Sequence, residues 1–351
     1  MISLPVRGRG ASHNPANRFE PIEIVRDRWE DPEDPAPRTQ LFWDTSRTII
    51  ARNASPDVGF ETSVNPYRGC EHGCVYCYAR PYHEYLGLSA GLDFETKIFV
   101  KEDAPRLLRE ALMKPSWTPQ TLALSGVTDP YQPAERRLQI TRGCLEVLAD
   151  FRNPTAVVTK NHLVTRDIDH LGELARFGAA AVTISITTLD DDLQRRMEPR
   201  ASSPARRLDV IARLSTAGIP VGVNLAPVVP GLTDHELPRI LEAAAEAGAR
   251  RAGYLLLRLP YGVKDLFQSW LEGHFPDRKE KVLARLRSLR GGRLNDPRFG
   301  KRHRGEGPFA AQIANLFRIT CRRLGLNREP LHLSAESFRR RPRGVQLRLF
   351  D

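Results

Sequence analysis

The chain has 351 residues, enough for two or three ordinary domains or one large α/β barrel with extensions, and enough to bury a core without disulfide staples. Hydrophobic residues make up 41% and charged residues 27%, which excludes a chain disordered throughout. No run approaches the roughly 20 apolar residues of a membrane span, and the opening MISLPVRGRGASHNPANRFEP lacks an apolar signal core, so the expectation is a cytoplasmic protein without membrane contact.

The formal net charge of +11 is uneven. Residues 278–351 hold 20 Lys or Arg against 6 Asp or Glu, a balance of +14, and the first 277 residues carry −3. Arg outnumbers Lys by 45 to 8, which a G+C-rich genome explains, but composition alone does not cluster charge at one end. The asymmetry favours a polyanionic partner, most simply nucleic acid, with DNA favoured.

Residues 1–60 are polar and Pro-rich in part (DPEDPAPR) and read as an extended N-terminal arm with a few strands or turns. Residues 61–262 alternate. Short β-branched or apolar runs at 121–125, 156–159, 181–186, 220–225 and 253–257 read as buried strands, and a further candidate strand precedes residue 65. Helical patterns lie between them over 134–151, 165–177, 203–216 and 234–247. Thr165 and Asp167 offer a helix start, and Gly218 and Gly248 offer C-terminal caps. Strands alternating with helices predict βα units on a parallel sheet. Six such units make an open, partial (β/α)6 barrel, with ligands beyond the carboxyl ends of the strands. Residues 263–340 read as a basic, mainly helical C-terminal extension, interrupted by the Gly- and Arg-rich GGRLNDPRFGKRHRGEG. Residues 341–351 read as a flexible tail.

Three of the five Cys lie in NPYRGCEHGCVYCYAR, as Cys70-x3-Cys74-x2-Cys77. A tight cluster in a cytoplasmic setting argues for metal ligation and against a disulfide framework. Thiolates suit iron–sulfur clusters or zinc. Three of them on one loop hold three irons of a [4Fe–4S] cube and leave the fourth open to a cofactor. A structural zinc would instead recruit His72 or His83 as fourth ligand.

The loop resembles that of the radical S-adenosylmethionine superfamily. Within it, NPYRGCEHGCVYCYAR, LSGVTDPYQPAE, VVTKN and VTISITT resemble the spore photoproduct lyase-like (DNA repair photolyase-like) branch over roughly residues 60–260. The resemblance implies a radical-SAM-type partial (β/α)6 barrel, a [4Fe–4S] cluster on Cys70, Cys74 and Cys77, and S-adenosylmethionine on the open iron. It also implies reductive cleavage to a 5′-deoxyadenosyl radical, with an external electron donor. By the same resemblance Tyr76 packs on the adenine and Tyr78 lines the pocket. Ser125, Gly126, Thr128 and Asp129 receive the ammonium, and Lys160, Ser185 and Arg200 serve the carboxylate or its surroundings. The lyase itself uses a Cys on the second strand to return a hydrogen atom. Here that stretch reads LALSGVTD, with no Cys. Cys144 falls on the apolar stripe of a predicted helix, and Tyr67 and Tyr131 are the nearby candidates by location alone.

The tail ends QLRLF, which resembles the bacterial sliding-clamp-binding motif. Gln346 would meet a polar rim, and Leu347, Leu349 and Phe350 an apolar pocket. The sequence therefore predicts a radical enzyme acting on DNA, in repair or base modification. The rivals are the same chemistry on RNA, protein or a small molecule, and a non-catalytic, zinc-stabilised adaptor between nucleic acid and the clamp.

Overall fold

The computed structural model describes residues 5–19 and 37–340. Ten strands form: β1 (Gln40–Trp43), β2 (Ile50–Arg52), β3 (Thr62–Val64), β4 (Tyr67–Arg68), β5 (Lys97–Val100), β6 (Leu122–Leu124), β7 (Thr155–Thr159), β8 (Ala180–Ser185), β9 (Val221–Val228) and β10 (Arg251–Leu256). The helices are α1 (Leu92–Thr96), α2 (Ala104–Met113), α3 (Glu135–Leu138), α4 (Ile140–Phe151), α5 (Ile168–Ala175), α6 (Asp191–Met197), α7 (Pro204–Thr216), α8 (Leu237–Glu246), α9 (Val263–His274), α10 (Pro276–Ser288) and α11 (Pro308–Leu324).

One sheet runs in the order β10-β9-β8-β7-β6-β3-β2. From β3 to β10 every pairing is parallel, with Thr62 opposite Leu122, Leu122 opposite Thr155 and Val182 opposite Val221. Only β2 is antiparallel, at the edge. Six parallel strands in sequence order, with β10 and β2 at opposite ends, form the expected partial barrel. In a second, three-stranded sheet, β1-β5-β4, β1 falls in the arm where strands are expected, while its pairing with β5 and β4 is not. The strands of this sheet are short and come from distant segments, so no local pattern marks them.

The strands are apolar because helices cover the sheet. Leu122, Val157, Val182, Val223 and Leu145 are all buried in the main core, and each such side chain contributes about 1.5–3 kcal/mol. The predicted helix over 134–151 divides at Gln139, whose φ is +55°. Glu135 explains the break. Its carboxylate accepts from the backbone N–H groups of Thr141 (2.9 Å) and Arg142 (3.3 Å), capping a restarted α4. The predicted start at Thr165 shifts as well. Asn161 caps a 3₁₀ turn over His162–Asp167 by accepting from the Leu163 N–H at 3.0 Å, and α5 begins only afterwards.

The basic extension is built into the barrel. Ala310, Ile313 and Cys321 of α11 belong to the main core. Phe267, Trp270 and Leu283 of α9 and α10 share a second core with Val75 and Tyr76 of the cysteine loop. Trp270 Nε1 donates to the Arg196 carbonyl at 2.9 Å. The chain then returns to the opposite edge, where Arg340 Nη2 donates to the Trp117 carbonyl at 2.7 Å. Among the described residues no helix is long and apolar enough to cross a membrane.

Candidate active site at the barrel mouth

The cysteine loop follows β4 and crosses the carboxyl ends of the parallel strands. Gly69 (φ +80°) and Gly73 (φ +67°) turn it. Cys70 N–H donates to the Phe94 carbonyl at 2.9 Å, and Cys77 N–H donates to the Cys74 carbonyl at 3.2 Å. Cys70 and Cys74 are buried and Cys77 half-buried. Burial pushes the Cys70 thiol well up, and the charges of Asp129, Cys74 and Cys77 add to this. Burial also raises Cys77, against the Ala79 backbone and the charges of Arg80, Lys160 and Arg258. Three mutually sensed thiols ionise together only with a cationic partner to neutralise them.

The donor set fits an iron–sulfur cluster better than zinc. His72 Nε2 meets Asn161 Nδ2 at 2.9 Å, and His72 Nδ1 lies 3.3 Å from Asp129 Oδ2. His83 Nε2 donates to the Lys97 carbonyl at 2.9 Å, and its ring packs edge-on to Phe94. His83 is thus engaged elsewhere, and His72 is held at Nε2 by Asn161 with its Nδ1 turned to Asp129. Among the described residues no three His, Cys, Asp or Glu side chains converge on a point where one ion would sit. A cubane needs no such convergence, because each thiolate binds a different iron.

Two buried ion-pair systems fix the loop. Arg80, fully buried, donates from Nε to the Cys74 carbonyl (2.9 Å), from Nη1 to the Gly91 carbonyl (2.9 Å) and from Nη2 to Glu95 Oε1 (2.5 Å). Glu95 also accepts from the backbone N–H groups of Gly10 (3.0 Å) and Ala11 (2.8 Å). The arm is thereby pinned over the loop. Packing there is backbone on backbone: a Cβ on Gly10 would lie 1.7 Å from the Gly73 carbonyl oxygen.

The second system is centred on Glu198, which is fully buried. Its carboxylate accepts from the Tyr76 hydroxyl, from Thr187 Oγ1 (2.7 Å) and from the Arg207 guanidinium, and lies 3.3 Å from Lys160 Nζ. Burial opposes its ionisation. The Arg207 and Lys160 charges and the Tyr76 and Arg207 hydrogen bonds outweigh that and hold its pKa far below the usual carboxylate range. Lys160 Nζ also donates to the Ala226 carbonyl at 2.8 Å and lies 5.7 Å from the Tyr76 ring centre.

The remaining expected residues divide. Tyr78 is exposed, donates its hydroxyl to the Gly126 carbonyl and carries Arg258 over its ring at 4.6 Å. Ser125 (φ +142°) donates to the Thr128 carbonyl at 3.1 Å, and Thr128 Oγ1 donates to the Gly69 carbonyl at 2.7 Å, tying the turn after β6 to the cysteine loop. Asp129 Oδ1 accepts from Thr159 Oγ1 (2.7 Å) and Tyr131 N–H (2.9 Å), its Oδ2 accepts from Lys160 N–H (2.8 Å), and His72 Nδ1 lies 3.3 Å from Oδ2, so the carboxylate also braces the loop. Ser185 is buried, and its carbonyl accepts from Arg207 Nη1 at 2.9 Å. Arg200 points toward the arm, with Nη1 at 3.0 Å from Glu71 Oε1 and 3.1 Å from Thr39 Oγ1. Tyr67 spends its hydroxyl on Glu135, Tyr131 is fully buried, and Cys144 is buried within α4. Gln346, Leu347, Leu349 and Phe350 lie outside the described residues.

Sequence reading passed over Glu198, Arg207, Arg80 and Arg258. Glu198 stands two positions before Arg200 in MEPRASSP, so the motif was visible while its buried anchor was not.

The profile of the radical SAM superfamily matches residues 64–244, just over half of the chain. The chain belongs to the radical S-adenosylmethionine superfamily. Membership implies S-adenosylmethionine and a [4Fe–4S] cluster. An uncharacterized protein of Mycobacterium tuberculosis is 38% identical over 232 residues, covering 66% of this chain and 67% of the relative. A radical SAM Nalpha-GlyT isomerase of Pseudomonas phage M6 is 24% identical over 75% of this chain and 52% of the isomerase. Among solved structures, a cysteine-to-serine mutant of spore photoproduct lyase matches with a TM-score of 0.57 and 16% identity, covering 82% of this chain and 80% of that one. The lyase complexed with dinucleoside spore photoproduct gives the same TM-score. The likeness to the lyase-like branch is therefore one of fold, over most of both chains.

Proposed function

We propose that this radical SAM protein holds a [4Fe–4S] cluster on Cys70, Cys74 and Cys77, reductively cleaves S-adenosylmethionine, and acts on DNA, in repair or base modification. The observation that carries the reading is three thiols on one loop across the carboxyl ends of six parallel strands. When bound, the cluster and cofactor supply one-electron cleavage of the sulfonium to a 5′-deoxyadenosyl radical, the electron coming from an external donor. The chain's own residues bind and orient. Tyr76 offers its ring to the adenine while Glu198 fixes its hydroxyl. Lys160 keeps a cation at the end of β7 for the cofactor carboxylate, and Ser125 and Gly126 shape the turn beside the ammonium. Asp129 acts from behind, by holding His72 and Lys160 in place.

The DNA target rests on the +14 C-terminal region and on relatives whose names refer to a dinucleoside photoproduct and to an Nalpha-GlyT isomerase. β6 carries Leu122, Ala123 and Leu124 and is followed by Ser125, so a lyase-type cysteine donor is absent from it. A product that does not need that donor is the better expectation. The QLRLF tail would bring the enzyme to a sliding clamp.

The test is anaerobic reconstitution with iron and sulfide, then dithionite and S-adenosylmethionine, with 5′-deoxyadenosine measured by mass. We expect it from the wild type and not from Cys74→Ala. One tight zinc and no 5′-deoxyadenosine would overturn the reading in favour of an adaptor. Salt-dependent duplex binding separates a DNA target from protein or metabolite targets.

A further inference from the structure

An open groove of about 1080 Å³ lies between α11 and β10, away from the cysteine loop. Its floor is apolar and flat, made by Ala310, Ala314, Phe317, Cys321 and Tyr254, with the Phe317 and Tyr254 rings 4.8 Å apart. Its rim is cationic: Arg304, Arg318, Arg322 and Arg328.

These four guanidiniums have no carboxylate partner among the described residues. The comparison is internal, because Arg323 on the same helix pairs with Glu242. Helix α11, PFAAQIANLFRITCRRL, contains no acidic residue at all. One carboxylate lines the groove, Glu306, and it is already neutralised by Lys301 (2.5 Å) and Arg298 (3.1 Å). Arg304 stacks on Tyr254 at 4.2 Å and covers that buried ring, and Phe317 is half-buried beside it. Arg without carboxylate partners along the edge of an open apolar groove is the cationic surface that tracks the phosphates of a nucleic-acid strand.

The chain also connects the edge of the groove to the mouth. In the run Arg302-His303-Arg304, the first two turn to Asp57, at 2.5 Å and 3.6 Å, while Arg304 turns into the groove. His303 is held to β10 because its carbonyl accepts from the Leu256 N–H at 2.9 Å. Two residues past Leu256, Arg258 lies over Tyr78, the neighbour of Cys77, and has no carboxylate partner among the described residues.

We propose that the α11–β10 groove is a docking track for one strand of nucleic acid, which leads the substrate to the barrel mouth past Arg258. This rests on the DNA reading above and adds the surface that delivers the strand.

The experiment measures binding of a fluorescent single-stranded oligothymidylate to the reconstituted holoenzyme across a salt series. The variants are R304Q/R318Q/R322Q and the charge-retaining R304K/R318K/R322K. Each lost phosphate contact lowers the salt slope by about 0.7 for single strands, so the glutamine variant should lose about 2 from the slope and at least tenfold in affinity at low salt. The lysine variant should stay within a few-fold of wild type, and substrate-free 5′-deoxyadenosine formation should be unchanged in both. If the wild type binds and the glutamine variant binds equally, the groove assignment falls and the DNA reading stands. If the wild type does not bind at low salt, both fall. If polyglutamate binds as tightly as the oligonucleotide and loses equally in the glutamine variant, the groove belongs to an acidic protein and the strand assignment is overturned.

Discussion

Lys160 Nζ stands 3.3 Å from Glu198 Oε1, so the cation at the end of β7 is held by the same carboxylate that takes the Tyr76 hydroxyl and Arg207. The cysteine loop, Tyr76 and Lys160 therefore share one buried anchor. Displacing any one of them strains the other two.

Glu198→Gln should destabilise the protein by about 3–5 kcal/mol, because Arg207 would stay buried without its counterion. Chemical denaturation of the holoenzyme checks this. The double variant Glu198→Leu with Arg207→Met should recover part of the loss, since it removes both charges. A double variant less stable than the single one would show that the anchor is not an ion-pair system.

Glu95→Ala should cut iron retention by more than half after reconstitution and gel filtration. The variant frees the Gly10 and Ala11 N–H groups and leaves Arg80 buried without its acid. Iron and sulfide analysis reads the result. Full retention would mean that the arm and the loop are held independently.

Cys144→Ala should leave both iron content and 5′-deoxyadenosine yield at wild-type level. The thiol is fully buried in α4, where it acts as a small apolar group. Loss of product with intact cofactor cleavage would instead make it a hydrogen donor.

The fold should lose stability on mild acidification through His83. Burial pushes its pKa down to about 4, with Arg80 and Lys97 adding, against the Lys97 carbonyl and Asp93. The unfolded chain takes up this proton near pH 6.5 and the folded chain does not. The contribution is whole above pH 6.5 and declines as pH falls toward 4, by about 1.4 kcal/mol per unit. Thermal melts of wild type and His83→Phe, compared at each pH, isolate it: the gap between them should narrow from pH 7.5 to pH 5. A constant gap would show that the group does not titrate in this window.

Deleting Gln346–Asp351 should leave cofactor cleavage intact and abolish binding to a bacterial sliding clamp in a pull-down with purified components. Reduced cleavage would make the tail part of the catalytic fold.

The sequence exposes the barrel because each buried strand is a contiguous run, such as AVTISI, closed by its own helix and glycine. The cysteine loop is as plain, since its spacing is local. The second sheet is hidden because Gln40–Trp43 pairs with Lys97–Val100 across more than fifty residues, and contacts that distant leave no periodicity. Glu198 and Arg207 escape for another reason. A charged residue reads as surface until its partner is known, and here the tertiary fold brings Arg207 of α7 to Glu198, the residue after α6. The same holds for Asp129, whose carboxylate accepts from Tyr131 N–H, Thr159 Oγ1 and Lys160 N–H.

The meeting of Gly10 with Gly73 has a consequence for how variation can enter this protein. Gly10 cannot take up a side chain while Gly73 stays in place, and a Cβ on Gly73, itself at φ +67°, would press on Glu95, the carboxylate that holds the Gly10 N–H. A segment that looks like a dispensable leader is thus under the same steric constraint as the cysteine loop, and truncations designed from sequence should begin ahead of Arg9 rather than after it.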